Sequence, residues 1–283
     1  MILKKEIEEK ALQQNISRDT IEKDWVLGHF IDAIFSLKES RDILIFKGGT
    51  CLKKCYFKNY RFSEDLDFTS IDPNFSLSRD LIKKILHIIY ERTEIFLHLD
   101  SLEELRHKDK NMGYVAKVKY WGANHLKNQI PLSPNRWTTS VKIEIINYEK
   151  MVFPPILKPI IHDYSDHLFS KEIRCYDLKE IFSEKMRALI QRSYQAPRDY
   201  YDMWYLSKNV PSLDWVEIKE AFYEKIKFKN ISFNDPNQLI NDENDKNISQ
   251  AWKNSLAHQI KEKELPTYIE IKEYLIKVFE NLF

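Results

Sequence analysis

Glycine, cysteine and long apolar runs are all scarce in this sequence. Five of its 283 residues are glycine and three are cysteine. Three cysteines give no even set of disulfides, which argues against a disulfide-stapled secreted scaffold. No apolar run approaches the roughly 20 residues that span a bilayer. The opening residues, MILKKEIEEK, carry charges where a secretory signal has an apolar segment. We therefore expect a cytoplasmic protein with no membrane partner.

The chain also has almost no net charge. Its 44 Lys and Arg residues and 43 Asp and Glu residues leave a formal charge of +1, so the whole molecule does not attract nucleic acid. Positive charge is nevertheless concentrated in residues 106–127, where a single acid, Asp109, accompanies six basic residues: Arg106, Lys108, Lys110, Lys117, Lys119 and Lys127. This basic segment could neutralise RNA phosphates, or it could be the solvated side of a hairpin. Within it, the alternation of residues 114–121 predicts a half-buried strand.

Apolar residues make up 43% of the chain and aromatics 13%, which excludes wholesale disorder. Two of the five glycines are adjacent, and they end an apolar segment. The four apolar residues 43–46 predict a buried strand that enters a tight turn at Gly48 and Gly49, where a Cβ atom would obstruct the backbone. Thr50 then begins a short helical segment. Cys51 and Cys55 share a face of that segment, and without a nearby His or Cys they are interpreted as buried thiols.

A second strand after this helix carries two carboxylates on one face. Side chains alternate along a strand, so Asp65 and Asp67 point the same way while Leu66 and Phe68 point into the core. Two carboxylates side by side repel each other, and a divalent cation removes that repulsion. Taken alone, either the Asp-x-Asp pair or the glycine pair would usually be a solvated face or an ordinary turn. Together they predict a site for Mg²⁺ and phosphates.

A third carboxylate, Glu144, lies on a later predicted strand, residues 140–148. Taken alone, it is interpreted as a member of a surface ion pair with Lys142, which lies two residues away on the same face of the strand.

The second half of the chain reads as helical. Helices are predicted at 214–228 and 266–282, and the polar stretch 234–247 between them is predicted to be an exposed loop. Asp177 and Glu180 have the spacing of a capping box, which predicts a helix start. Lys185 lies on or beside the apolar stripe of that helix, where an ammonium must extend to solvent or meet an anion. Pro197 predicts the start of the next helix, in which Arg198 and Asp202 are spaced to pair.

Four ordered strings in the sequence resemble a known family. They are GGTCL at 48–52, RFSEDLDF at 61–68, SEKMRAL at 183–189 and RSYQAPRDYYDMWYL at 192–206. The glycine pair, short helix and Asp-x-Asp strand resemble the nucleotidyltransferase superfamily. The fuller strings are similar to the AbiEii/AbiGii toxin family of nucleotidyltransferases, over roughly residues 21–206.

The resemblance implies roles for individual residues. Asp65, Asp67 and Glu144 would hold Mg²⁺ or Mn²⁺, and Asp65 and Asp67 would be catalytic. Lys185 would be catalytic and would offset triphosphate charge, and Asp199 would act as a base or position that lysine, with Asp202 as its structural neighbour. The implied nucleotide-binding residues are Gly48, Gly49, Thr50, Arg61, Ser63 and Lys185.

The resemblance also implies an α/β (α+β) fold and a toxin of a toxin–antitoxin or abortive-infection system. A mixed sheet in residues 1–165 would form the nucleotidyltransferase core, and a helical domain in residues 166–283 would contribute Lys185 and Asp199 to the cleft. The enzyme would transfer a nucleotide from a nucleoside triphosphate to RNA, with the 3′ end of tRNA as the expected acceptor and a cognate antitoxin protein as a partner.

Two alternatives remain open from the sequence. The chain could be a binding module that holds a nucleotide or RNA on a transferase scaffold without turnover. It could also be an RNA-binding protein whose basic segment is the functional surface and whose carboxylates hold only a structural metal.

Overall fold

A computed structural model describes residues 2–125, 129–192, 196–240 and 245–283 of the chain. The chain divides into two compact units. Unit 1 comprises Met1–Glu149 and Pro155–Cys175, and unit 2 comprises Lys150–Pro154 and Tyr176–Phe283. No helix in the described ranges combines the length and the apolar character needed to cross a membrane.

Unit 1 contains a mixed sheet and helices. Its elements are α1 (Lys4–Gln14), α2 (Arg18–Ser36), α3 (Lys38–Arg41), β1 (Leu44–Lys47), α4 (Gly48–Cys51) with a π-helical continuation (Leu52–Tyr56), β2 (Asp65–Ser70), α5 (Arg79–Thr93), β3 (Phe96–His107), β4 (Lys110–Trp121), a 3₁₀ turn (Pro134–Arg136), β5 (Ser140–Ile146), β6 (Ile156–Lys158) and β7 (Ile173–Cys175).

Unit 2 is helical. Its elements are α6 (Leu178–Gln191), α7 (Pro197–Asn209), α8 (Trp215–Phe228), α9 (Asp245–Leu256), α10 (Tyr268–Leu282) and two 3₁₀ turns, Pro236–Gln238 and Glu262–Glu264. The helices predicted at 214–228 and 266–282 are confirmed as α8 and α10. The polar stretch 234–247, predicted to be a loop, includes the first 3₁₀ turn and the start of α9, and its residues 241–244 lie outside the described ranges.

The seven strands form one sheet in the order β3-β4-β5-β2-β1-β7-β6. The ladders β2–β5 and β1–β7 are parallel and the others are antiparallel. The predicted α/β class with a mixed sheet is therefore confirmed. The sequence predicts that the helical domain begins at residue 166, whereas β7 is part of the sheet of unit 1.

One face of the sheet is packed into the core of unit 1. Leu66 and Phe68 on β2 are fully buried, and the Phe68 ring lies 6.1 Å from the ring of Phe35 on α2. Helix α2 is capped at its start, because the Ser17 hydroxyl accepts a hydrogen bond from the Thr20 amide. The buried residues Leu66 and Phe68 alternate with Asp65 and Asp67, and this alternation fixes which face of β2 carries the carboxylates.

The capping box predicted at the start of α6 is wrong in one of its two residues. The Asp177 side chain does cap the helix by accepting from the Lys179 amide. Glu180 is instead fully buried, where it accepts hydrogen bonds from the amides of Val152 and Phe153 and pairs with Lys225. Glu180 points into unit 2 because a buried lysine needs an anionic partner there.

Strands β3 and β4 form a long hairpin that the sequence predicts only in its second strand. Lys110–Trp121 contains the predicted strand at 114–121. Its partner β3 is twelve residues long, lies at an edge of the sheet, and is interrupted by register shifts between Leu99 and Ser101 and between Leu105 and Arg106.

Candidate active site

Three carboxylates are brought together on one face of the sheet. Asp65 and Asp67 are two residues apart on β2 and therefore point the same way. The parallel β2–β5 ladder places Glu144 directly opposite Asp67 and Lys142 directly opposite Asp65. The antiparallel β1–β2 ladder places Lys47 opposite Asp67 on the other side. Residues opposite each other in a ladder share a face, so Lys47, Asp67 and Glu144 form one row across three strands.

The row is electrostatically crowded at Asp67, which is half-buried. Burial and the nearby charge of Glu144 raise the pKa of the Asp67 carboxyl from 3.8 to about 6. The positive charges of Lys47 and Lys142 act in the opposite direction without cancelling this rise. A bound cation would add the positive charge that this group of carboxylates lacks.

The glycine turn lies against this carboxylate. Gly48 has φ +79°, in the left-handed region that favours glycine, and it connects β1 to α4. A Cβ atom at this position would lie 2.5 Å from Asp67 Oδ2. The residue must therefore be glycine both for its backbone conformation and for the space that Asp67 occupies.

The second glycine has different neighbours. A Cβ atom at Gly49 would lie 2.5 Å from Arg61 Nη2 and 3.3 Å from Ser63 Oγ. The structure thus brings Arg61 and Ser63, which precede the Asp-x-Asp strand in sequence, against the turn. Arg61 is 4% exposed and donates to the Phe62 carbonyl oxygen.

Thr50 has its hydroxyl engaged inside the fold. The side chain is buried, and its Oγ1 donates to the carbonyl oxygen of Asp65. This bond ties α4 to the first residue of β2. It leaves the backbone amide of Thr50, rather than its hydroxyl, as the group that a nucleotide would meet.

Both interpretations of Glu144 describe part of the structure. Lys142 Nζ lies 2.5 Å from Glu144 Oε2, which is the predicted surface ion pair. The same Glu144 faces Asp67 across the ladder, as expected for a third ligand. Lys142 therefore holds Glu144 by a partly exposed contact that an incoming cation would have to replace.

Lys185 in unit 2 meets two anions. Its Nζ lies 2.6 Å from Asp199 Oδ1 and 2.7 Å from Asp202 Oδ2. All three residues are buried, and Asp202 is completely so. Asp199 also pairs with Arg192. The apolar stripe of α6 thus brings Lys185 to two carboxylates on the first turns of α7.

Asp202, which the sequence spaces to pair with Arg198, has a partner on the preceding helix. Asp202 contacts Lys185 of the preceding helix, and so does Asp199. The two aspartates lie three residues apart and therefore on one side of α7, which places both within reach of one ammonium. The sequence shows their spacing on α7 but not which face α6 covers.

Three of the six basic residues in the segment 106–127 pair with acids of strand β3. Lys117 and Lys119 lie 3.3 and 3.1 Å from the two oxygens of Asp100 on β3, and Arg106 pairs with Glu104. The hairpin brings these acids beside the basic residues of β4. Of the predicted basic residues, Lys127 lies outside the described ranges.

Lys47 is a residue of this site that the sequence reasoning missed. It is 7% exposed, ends β1 directly before the glycine pair, and shares the row of Asp67. The sequence does indicate it, because a lysine that ends a buried apolar strand needs an anion close by.

The family of the chain was established by comparison with known proteins. Residues 29–275 match the family described as nucleotidyl transferase AbiEii toxin, type IV TA system. No curated protein matches the chain. Among solved structures, MenT4, a nucleotidyltransferase toxin from Mycobacterium tuberculosis H37Rv, is similar with a TM-score of 0.69 at 16% identity, over 100% of this chain and 90% of that one.

JHP933 from Helicobacter pylori is similar with a TM-score of 0.55 at 16% identity, over 94% of this chain and 93% of that one. At these identities the two structures support the fold. The family match extends over most of the chain and includes the glycine pair, the Asp-x-Asp strand and Lys185. The chain therefore belongs to the AbiEii family of nucleotidyltransferase toxins of type IV toxin–antitoxin systems.

Proposed function

We propose that this toxin transfers a nucleotide from a nucleoside triphosphate to an RNA acceptor in the cytoplasm, in a reaction that depends on Mg²⁺ or Mn²⁺. The observation that carries the proposal is the row in which Asp67 faces Glu144 while the Gly48 turn lies against Asp67. The carboxylates and the glycine turn are therefore adjacent on one face of the sheet.

The residues present fit a divalent cation. Carboxylate oxygens are the ligands that Mg²⁺ prefers, and the pKa of Asp67 is raised by burial first and by the nearby charge of Glu144 second. Asp65, Asp67 and Glu144 would hold the metal. Once bound, it would supply charge stabilisation for the attacking and leaving oxygens of the phosphoryl group.

The turn supplies the groups that would hold the triphosphate. The backbone N–H groups of Gly48, Gly49 and Thr50 can donate hydrogen bonds to a phosphate without displacing a side chain. Arg61 and Ser63 lie against Gly49 and add a positive charge and a hydroxyl. These residues bind and orient the nucleotide.

For Lys185 we propose a role in offsetting triphosphate charge, with Asp199 positioning it. Asp199 already accepts from Lys185 and Arg192. Both carboxylate oxygens of Asp199 are thus engaged by cations, so the contacts favour positioning over proton abstraction. Asp202 shares the ammonium and keeps the lysine fixed on α6.

For the acceptor we propose RNA, and the 3′ end of tRNA first. The turn of the β3–β4 hairpin carries Lys108 and Lys110, which have no ion pair with an acid among the contacts of the described residues. Such a tip can reach phosphates spaced along a folded RNA, and a small acceptor would not need it. The type IV family also implies an antitoxin partner.

The test is to incubate the purified protein with total RNA and each labelled nucleoside triphosphate in turn, with and without Mg²⁺. Label in RNA of tRNA size, lost with the Asp67→Asn variant and lost when EDTA replaces Mg²⁺, would support the proposal. Label on protein would exclude an RNA acceptor. Nucleotide binding without any transfer would favour the alternative, a binding module without turnover.

A further inference from the structure

The three cysteines of the chain meet at one point in unit 1. Cys51 ends α4, Cys55 lies in the π-helical continuation, and Cys175 ends β7. Their sulfur atoms all lie within 4.8 Å of one another, although Cys175 follows Cys55 by well over a hundred residues. The meeting is produced by the parallel β1–β7 ladder, which places Cys175 opposite Phe46, just before the glycine turn. In the sequence only Cys51 and Cys55 lie close to each other, and nothing local indicates that Cys175 joins them.

The geometry suits a metal ion bound by sulfur. A zinc–sulfur bond of about 2.3 Å places three sulfurs roughly 4 Å apart around one ion, which is within the observed spacing. We propose that Cys51, Cys55 and Cys175 form a three-thiolate site for one thiophilic metal ion of the Zn²⁺ or Cu⁺ class. Binding breaks three S–H bonds, forms three metal–sulfur bonds and releases the protons to solvent, with no change of oxidation state.

The third sulfur has a hydroxyl and an ammonium in its surroundings. The Tyr56 hydroxyl lies 4.0 Å from Cys175 Sγ, and Lys158 lies over the Tyr56 ring. A cation bound by the three sulfurs would supply the charge that three buried thiolates need.

The site differs in chemistry from the carboxylate row. Three buried sulfurs are soft ligands that select Cu⁺ or Zn²⁺, whereas the carboxylates suit Mg²⁺. In the part of the chain that the structure describes, no histidine or carboxylate joins the three sulfurs. The two sites would therefore bind different ions. The alternative for the thiols is simple packing, since a buried free cysteine behaves as a small apolar residue.

The test uses the full chain, purified under reducing conditions without chelator from cells grown with added zinc. Metal content is measured by mass spectrometry, and Cd²⁺ is then exchanged into the protein as a spectroscopic probe. We expect one ion per chain, an ultraviolet thiolate-to-cadmium absorption band with the amplitude of three sulfurs, and proton release on binding. The Cys55→Ala variant should lose affinity by more than the roughly 10- to 100-fold that removal of an outer hydrogen-bond partner costs.

Tyr56→Phe is the matched control, because it removes a neighbouring hydroxyl and keeps all three sulfurs; it should retain the ion and the band. If cysteine variants do not fold, the wild-type chain decides the question. Less than about a tenth of an ion per chain together with no absorption band would overturn the proposal. Bound metal without the band would also overturn it, because the metal would then sit on oxygen or nitrogen ligands.

Discussion

A Cβ atom placed on Gly48 would lie 2.5 Å from the Oδ2 atom of Asp67. The glycine turn and the second carboxylate of the Asp-x-Asp pair thus occupy adjoining space with no room for a side chain between them. Since Gly48 also has a positive φ, the turn and the carboxylate constrain each other. A substitution at either residue should therefore alter the position of the other.

Gly48→Ala should therefore abolish transfer and also lower stability. The alanine would be strained at φ +79° and its methyl group would displace Asp67, at a cost on the order of 1–3 kcal/mol in the free energy of unfolding. Transfer assays and thermal melts check this. Gly122→Ala is the control, because its Cβ would also press on a carboxylate, 2.7 Å from Glu22 Oε1, away from the site. Equal transfer by the Gly48 variant and wild type would refute the assignment of the turn.

Asp67→Asn should be inactive yet more stable than wild type near neutral pH in the absence of Mg²⁺. The folded carboxyl has a pKa of about 6 against an ordinary value of 3.8. Between these values the folded state holds a proton that the unfolded state has lost, so wild-type stability falls as the pH rises through this window. The asparagine variant should gain about 1–3 kcal/mol at about pH 8 and nothing at about pH 4.

Melting curves over this pH range measure the effect. Mg²⁺ should raise the melting temperature of wild type and leave that of the variant nearly unchanged, because a bound ligand stabilises only the form that binds it. A variant that is less stable than wild type at the higher pH would show that the ionised Asp67 carboxylate does not destabilise the folded state.

Lys142→Ala should tighten Mg²⁺ binding at a pH above the pKa of Asp67. The lysine now pairs with Glu144 at 2.5 Å, and removing it frees this carboxylate for the metal. Since the pair is partly exposed, its loss should change stability by less than about 1 kcal/mol. Isothermal titration with Mg²⁺ gives the comparison, with Lys158→Ala as a control away from the row. Weaker binding in the Lys142 variant would argue that the lysine orients Glu144 instead.

Lys185→Met should destabilise the protein strongly, contrary to what its position on an apolar stripe suggests. The change leaves Asp199 and the fully buried Asp202 without their shared cation. Breaking a buried pair in this way typically costs about 3–5 kcal/mol. Denaturant unfolding measures the loss, and the double variant with Asp202→Asn should recover part of it. If Lys185→Met alone is as stable as wild type, the three residues are not coupled as the structure shows.

The hairpin offers two changes with opposite expected effects on RNA. Lys108→Gln with Lys110→Gln should raise the KM for RNA and flatten its salt dependence by about one unit of slope for each phosphate that is no longer neutralised. Asp100→Asn should do the reverse, because it releases Lys117 and Lys119 from their shared acid. Transfer rates at several salt concentrations measure both. Unchanged salt dependence in both variants would exclude the hairpin as an RNA-binding surface.

Those parts of the site that are formed by residues close together in the sequence could be predicted from it. The turn at Gly48 and the alternation of Asp65 and Asp67 depend on near neighbours, so local rules suffice. Glu144 could be proposed only from the family resemblance, which implies a third carboxylate on a strand beside that of Asp65 and Asp67. Its position opposite Asp67 depends on the register of a parallel ladder, which no local pattern encodes.

The features that the sequence did not reveal all depend on distant pairing. Asp100 neutralises Lys117 only because β3 folds against β4, and β3 lacks the regular alternation that predicts a strand. Cys175 meets Cys51 only through the ladder between β1 and β7. Asp202 reaches Lys185 through the packing of α6 against α7. Composition and spacing cannot supply these contacts, because each joins segments whose relative placement is set by the tertiary fold.

Strand β3 has a consequence for how copies of this protein behave at high concentration. It is a twelve-residue strand at an edge of the sheet, and a long edge with free backbone groups can template pairing with the edge of another molecule. Its two register shifts disturb the regular spacing of those groups, and its charged residues Asp100, Glu103 and Glu104 place charge on the edge, which disfavours such pairing. The acids that weaken the positive charge of the hairpin therefore protect the same edge against aggregation.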